Sequence, residues 1–261
     1  MNILFSKYQG TGNDFIIVDD RTKRFPKNES DLVMFLCDRR FGIGGDGLML
    51  LQESDIFDFK MVYFNSDGKE STMCGNGGRC IAAFAQKLEI FKNRAVFEAI
   101  DGEHQVTIEP DQEIILKMAD VNKIENDNGN HFLDTGSPHY VVPVYSLEHY
   151  DVIGEGRKIR YDERFKADGT NVNFYQQKEN GILSVRTYER GVENETFSCG
   201  TGVVASAISA ALVNPTDNSS VDIQTKGGNL QVKFTKNADN TFHNIWLKGP
   251  ATFVFSGQIE V

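Results

Sequence analysis

One short block is written twice in this chain. Thr72-Met73-Cys74-Gly75-Asn76-Gly77 recurs as Phe197-Ser198-Cys199-Gly200-Thr201-Gly202, 125 residues later. Both copies run into small apolar residues, Cys80-Ile81-Ala82-Ala83-Phe84-Ala85 after the first and Val203-Val204-Ala205-Ser206-Ala207-Ile208 after the second. Gly102-Glu103-His104-Gln105-Val106 faces Gly228-Asn229-Leu230-Gln231-Val232, and Gly12-Asn13-Asp14-Phe15 faces Gly136-Ser137-Pro138-His139, at nearly the same offset. Order and spacing are kept, so the second half is expected to repeat the fold of the first.

Hydrophobic spacing supplies the elements. The first residues read as a strand, and short apolar runs predict strands over 15–19, 48–52, 59–64, 95–99, 105–109 and 113–118. The second half offers runs at 140–145, 172–176, 183–188, 221–224, 230–234 and 244–247. Residues 29–39 have helical spacing through Leu32, Phe35 and Leu36. The stretch after each repeated cysteine is apolar nearly all round, which predicts a buried helix. The expected fold class is therefore α+β: two pseudo-symmetric domains, each a mostly antiparallel sheet curled around a central helix. Residues 252–261 have no counterpart in the second half and are expected to return to the first. The domains are then 1–119 plus 252–261, carrying Cys74, and 120–251, carrying Cys199, with the polar, Gly/Asn-rich stretch 122–130 as the linker.

Composition narrows the function. With 27 basic and 37 acidic residues the chain carries a net charge of −10, which argues against nucleic acid or an anionic membrane as the main partner. The most apolar stretch, 203–213, is too short to span a bilayer, and Met1 to Lys7 do not form a secretory signal. A cytoplasmic location is expected. Four cysteines, Cys37, Cys74, Cys80 and Cys199, without a Cys-x-x-Cys pair, suit a reducing compartment and give no support to zinc. Cys37, in an apolar-periodic helix, and Cys80, on a different helical face from Cys74, read as small core hydrophobes.

Cys-Gly-x-Gly at a helix start has a physical meaning. The first amides of a helix have no internal acceptor, and the macrodipole adds partial positive charge there. Such an end binds a carboxylate and favours a thiolate over a thiol. Two such ends facing one carbon next to a carboxylate would place one sulfur on each side. One thiolate would remove the proton and the opposite thiol would deliver another, which is racemisation or epimerisation.

At these residues the sequence resembles the diaminopimelate epimerase family. The resemblance rests on Gly10-Thr11-Gly12-Asn13-Asp14-Phe15, Met73-Cys74-Gly75-Asn76-Gly77-Gly78-Arg79-Cys80, Tyr188-Glu189-Arg190-Gly191 and Ser198-Cys199-Gly200-Thr201-Gly202, with Phe64-Asn65, Asn171-Val172-Asn173 and the Gly42 to Gly47 loop in support. These blocks span the chain in family order. The resemblance implies interconversion of L,L- and meso-diaminopimelate without a cofactor, on the route to lysine and peptidoglycan precursors. It also implies two barrel-like domains and a homodimer. By the same resemblance Cys74 and Cys199 are the catalytic thiols, and the amides of Gly75, Asn76, Gly200 and Thr201 hold the reacting carboxylate. Asn13, Asn65, Asn173 and Arg190 hold the rest of the substrate. Glu189 binds an ammonium and tunes a thiol, and His139 lies near the thiols to tune them.

Arg190 and Asn65 each lie nine residues before their cysteine. Unequal residues at equivalent places would let a symmetric pocket bind the two ends of a substrate differently, and an arginine offers a bidentate fork for a distal carboxylate. Two positions depart from the family: Ser137, where many members have asparagine, and Gly47, where some have glutamine. The alternatives are a proline or hydroxyproline racemase of the same fold, a carboxylate-binding module without catalysis, and a redox sensor built on the two cysteines.

Overall fold

The computed structural model describes residues 1–26, 29–214 and 219–261. It divides into two compact units, Met1–Leu116 with Gly249–Val261, and Lys117–Lys248. The strands and helices of the first unit follow in the order β1 (Asn2–Gly10), β2 (Asn13–Asp19), α1 (Ser30–Cys37), β3 (Gly47–Gln52), β4 (Phe59–Asn65), β5 (Glu70–Ser71), α2 (Gly75–Lys87), β6 (Arg94–Ala99), β7 (Gly102–Ile108) and β8 (Ile114–Lys117). The second unit holds β9 (Ile124–Asp127), β10 (Asn130–Asp134), β11 (Pro138–Pro143), α3 (Val152–Arg160), β12 (Asn171–Gln177), β13 (Leu183–Glu189), β14 (Asn194–Thr196), α4 (Gly200–Val213), β15 (Ser220–Thr225), β16 (Gly228–Lys236) and β17 (Phe242–Gly249). The chain ends with β18 (Thr252–Glu260), which pairs antiparallel with β1 in the first unit.

The duplication extends to the pairing of strands. In the first unit β1–β2 is antiparallel, β2–β3 parallel, β3–β4 and β4–β5 antiparallel, β4–β6 parallel and β6–β7 antiparallel. In the second, β10–β11, β11–β12, β12–β13, β13–β14, β13–β15 and β15–β16 repeat those senses one for one. The parallel step from β2 to β3 passes through α1, and that from β11 to β12 through α3. The class is mixed α/β with mostly antiparallel pairing, as the sequence leads one to expect. Gly102 and Gly228 open equivalent returning strands at φ +120° and +143°, a backbone that side-chain-bearing residues rarely adopt.

Each sheet closes over one helix. Helix α2 packs on β1, β2, β3 and β7, and buries Gly75 through Ala82, then Phe84 and Ala85. Helix α4 packs on strands β10 to β13, β15 and β16, and every residue from Gly202 to Ala211 is buried. Among the described residues no helix is long and apolar enough to cross a membrane.

The stretch 122–130 is not a linker. Its residues form β9 and the start of β10, paired in register from Asp127 and Asn130. Asn128 (φ 52°) and Gly129 (φ 91°) make the two-residue turn, the Asn-Gly arrangement that matches strand twist. Its flanks are polar, so alternation of hydrophobicity does not reveal the strands. The very short β5 and β14 and the polar helix α3 also leave no periodic trace in the sequence.

Candidate active site

Both repeated cysteines are helix N-caps in extended backbone, Cys74 at φ −93°, ψ 130° and Cys199 at φ −120°, ψ 112°. Their carbonyls accept the first intrahelical bonds, from Gly78 N at 2.7 Å and Val203 N at 2.9 Å. The amides of Gly75, Asn76 and Gly77, and of Gly200, Thr201 and Gly202, therefore lie ahead of the first i→i−4 bond, where a helix presents donors and positive potential. Both thiols are half-buried. Cys37 and Cys80 are buried in the core, and burial pushes both thiols up to about 12.

In the first unit the β1–β2 turn carries Asn13 to Cys74. Cys74 Sγ donates to Asn13 Oδ1 at 3.6 Å, and Asn76 Nδ2 donates to the same oxygen at 3.3 Å. The other end of the Asn13 amide donates to Asp46 Oδ2 at 2.6 Å. Asp46 comes from the glycine loop before β3, and Arg39 fastens it at 2.8 Å while gripping Asp14 with both guanidinium nitrogens. Lys7 completes the cluster, 2.7 Å from Asp14 and bonded to the Gly44 carbonyl. Burial raises Asp14, but the Arg39 and Lys7 hydrogen bonds outweigh it and hold the carboxyl at about 2. Asn65 is exposed at the end of β4, opposite Gly47.

Arg79 is fully buried one turn into α2. Its guanidinium donates to Asn76 Oδ1 at 2.9 Å, to the carbonyls of Pro250 and Gly75 at 3.2 and 3.3 Å, and to Thr11 Oγ1 at 3.4 Å.

In the second unit a different chain reaches the cysteine. Thr187 Oγ1 donates to Asn173 Oδ1 across the β12–β13 pair at 2.9 Å. Asn173 Nδ2 lies 2.9 Å from His139 Nδ1, His139 Nε2 lies 2.9 Å from Thr201 Oγ1, and Thr201 Oγ1 lies 3.5 Å from Cys199 Sγ. His139 and Asn173 are wholly buried. Burial, with the charge of Arg190 adding to it, pushes His139 down to about 3, so the ring is neutral at pH 7. Arg190 is exposed, with its side chain donating to the Asp168 carbonyl at 2.8 Å and its backbone amide to Asn171 Oδ1 at 2.9 Å. Glu189 is half-buried at the end of β13. Ser137 Oγ accepts from Asn171 Nδ2 at 3.0 Å.

The structure thus gathers Asn13, Cys74, Gly75 and Asn76 at one helix start and His139, Asn173, Cys199, Gly200 and Thr201 at the other. Asn65, Glu189 and Arg190 stand at or just past strand ends. Asp46, Arg39, Thr187 and Arg79 escape a reading of the sequence for site residues. The signal for the first two was the Gly42 to Gly47 loop, whose glycines let Asp46 approach Asn13. For Arg79 it was a charge inside an otherwise apolar helix.

The model of the diaminopimelate epimerase family matches residues 5–124 and 131–254. A diaminopimelate epimerase of Flavobacterium psychrophilum is 51% identical over 97% of this chain and 98% of its own. The chain belongs to the diaminopimelate epimerase family. A member from the archaeon Archaeoglobus fulgidus is 37% identical over 100% of this chain and 98% of its own. Among solved structures, a PhzF-family phenazine biosynthesis protein of Bacillus anthracis has a TM-score of 0.76 at 14% identity, covering 100% of both chains. A hydroxyproline epimerase of Agrobacterium vitis has a TM-score of 0.70 at 12% identity, covering 99% of this chain and 92% of its own. At those identities the last two share the fold. Diaminopimelate epimerase relatives, unlike these, match the whole chain at the level of sequence.

Proposed function

We propose that this protein is an isomerase that interconverts L,L- and meso-diaminopimelate, in the synthesis of lysine and of peptidoglycan precursors, without a cofactor. The observation that carries the reading is the pair of half-buried cysteines at equivalent helix starts, in a chain 51% identical to a diaminopimelate epimerase. Inverting a carbon next to a carboxylate needs a base on one face and an acid on the other. A thiolate and a thiol supply these, and their roles exchange in the reverse direction.

The remaining roles are those the family resemblance implies, and the place of Gly75, Asn76, Gly200 and Thr201 at the two helix starts supports them. The amides of Gly75, Asn76, Gly200 and Thr201 hold the reacting carboxylate, whose charge grows into the carbonyl oxygens as the carbanion forms. Asn13, Asn65 and Arg190 hold the substrate away from the reacting carbon, and Glu189 takes an ammonium. By the same reading Asn173 also holds the substrate, and His139 and Glu189 tune the thiols, His139 through its contact with Thr201 beside Cys199. The working form is a cytoplasmic homodimer.

The test is proton exchange in deuterated buffer. Reduced protein is incubated with L,L-diaminopimelate, without added cofactor, and the α-hydrogen is followed by NMR. Loss of that signal with appearance of the meso form is the expected result. Exchange of proline or hydroxyproline instead would keep the two-thiol chemistry and move the substrate. Binding without any exchange would leave a carboxylate-binding module.

A further inference from the structure

We infer that Arg79 is a positioning residue for the reaction, a buried charge that strengthens the start of α2 as the seat of an anion. The inference rests on the reading of that helix start as the place where the reacting carboxylate binds.

Arg79 stands where a cation is costly. It is fully buried, and a charge taken out of water is stable only when its partners make good the loss. It also lies near the positive end of α2, which disfavours a cation. The four acceptors that it reaches are all neutral: Asn76 Oδ1, Thr11 Oγ1 and the carbonyls of Gly75 and Pro250. The groups close enough to lend it negative charge are Cys80, Cys74 and Glu113, and among the described residues none of them bonds to it. Burial keeps the Cys80 thiol neutral. A guanidinium does not give up its proton in a protein, so the positive charge stays. The fold itself does not ask for it. The equivalent place in α4 is held by Val204, apolar and fully buried, behind the same kind of cysteine cap.

What the charge serves lies one turn back. Arg79 Nη1 donates to the Gly75 carbonyl at 3.3 Å, and that carbonyl shares a peptide group with the Asn76 amide. Hydrogen bonds in series polarise one another, so this amide becomes a stronger donor. Nη2 holds Asn76 Oδ1 at 2.9 Å and fixes that side chain at the helix start. Gly10 closes over the pair: a Cβ there would come within 3.1 Å of the Asn76 carbonyl oxygen and 3.3 Å of Nη2. In so dry a place the charge acts through a low dielectric and is little screened by salt. When the proton leaves the substrate carbon, charge grows on the carboxylate, and the pull of Arg79 grows with it. A carboxylate partner would have cancelled that field. Neutral oxygens hold the guanidinium in place and leave the field to the anion.

The experiment compares two alkylating agents of one shape and different charge. Reduced, substrate-free full chain is pulsed with iodoacetate, a carboxylate, or with iodoacetamide, its neutral isostere. Modification at each cysteine is counted by peptide mass spectrometry. Both agents need the thiolate, so its amount cancels in the ratio of the two rates, and the ratio reads the local pull on a carboxylate. Arg79→Met and Arg79→Gln should each lower that ratio at Cys74 about tenfold and leave it unchanged at Cys199. Arg79→Lys keeps the charge and loses the fork, and should hold the ratio within about threefold of native. In epimerisation of L,L-diaminopimelate the two neutral variants should lose about a hundredfold in kcat with KM moved only a few-fold, and Arg79→Lys should recover about tenfold of that loss. Protection of buried Cys37 and Cys80 reports that each variant is folded, and if Arg79→Met loses it, Arg79→Gln, which can still donate to Asn76, decides. An arginine kept for structure alone would leave the ratio unmoved and make the lysine variant fail as badly as the methionine one. Either result in folded variants would overturn the inference. The alkylation assay contains no diaminopimelate. A ratio that follows the charge in a protein that fails to epimerise would keep the role of Arg79 and sink the substrate, and an unmoved ratio in an active epimerase would do the opposite.

Discussion

Residues 75–79 and 200–204 occupy equivalent places in the two units. Each segment follows a cysteine, opens the central helix and is almost wholly buried. In the first, Asn76 and Arg79 tie the helix start to the β1–β2 turn through a polar network that ends in carboxylates. In the second, Thr201 takes the place of Asn76 and Val204 that of Arg79, and the polar chain goes into the sheet through His139, Asn173 and Thr187. The backbone is duplicated and the wiring is not. A duplicated frame supplies two similar helix starts, and divergence at a few side chains makes them chemically unequal. An enzyme that distinguishes two faces of one carbon needs both properties.

The sharpest test of the comparison is at the sulfurs. Cys74→Ala and Cys199→Ala should each lower epimerisation at least about a thousandfold, measured by NMR in deuterated buffer, with the fold retained. Full epimerisation in either variant would break the pairing of the two halves.

Acid should separate the units next. His139 is held at about 3 against an ordinary 6.5, so the unfolded chain binds the extra proton first. Stability of the second unit should fall as pH drops below about 6.5, by up to about 4 kcal/mol on approaching pH 3. The burial-lowered His131 acts in the same direction. Asp14 in the first unit is held at about 2 against 3.8, so its contribution is intact above about pH 4 and is lost below it. Hydrogen exchange between pH 6 and 4, corrected for intrinsic rates, should therefore quicken in 117–248 before 1–116. His139→Gln should shrink the difference, leaving the part that His131 contributes.

Arg79→Met takes one donor away from each of four acceptors, of which Asn76 Oδ1 keeps the Thr11 hydroxyl, and should destabilise the first unit by about 2 kcal/mol in urea titration. A more stable variant would mean that the buried charge is kept for the cysteine beside it rather than for the fold. Arg190→Ala, with the exposed guanidinium removed, should raise KM for diaminopimelate about tenfold while leaving kcat within a few-fold. The smallest effects are expected where the two units agree. Gly102→Ala and Gly228→Ala should each cost about 1 kcal/mol, because both positions hold the same positive-φ backbone. A large disparity between them would show that the turns have diverged as well.

The duplication, the central helices and most strands are legible in the sequence because they rest on local patterns: a repeated motif, apolar runs and glycine punctuation. The hairpin at 124–134 is hidden because its strands are polar, although Asn128-Gly129 marks its turn. The wiring is hidden for another reason. Asp46 meets Asn13 from 33 residues away, and Thr187 meets Asn173 across a strand pair. Such contacts depend on register, which periodicity does not encode. Cys74 and Cys199 could be singled out from the sequence, but their inequality could not.

Strand β18 completes the first sheet by pairing with β1, so the second unit is inserted within the first. On the ribosome this sets an order of events. The whole of 117–248 is synthesised while the outer edge of β1 still waits for its neighbour. For that interval the nascent chain carries an open strand edge, the kind of surface that recruits other chains. The unit whose sequence begins first is the one that finishes last.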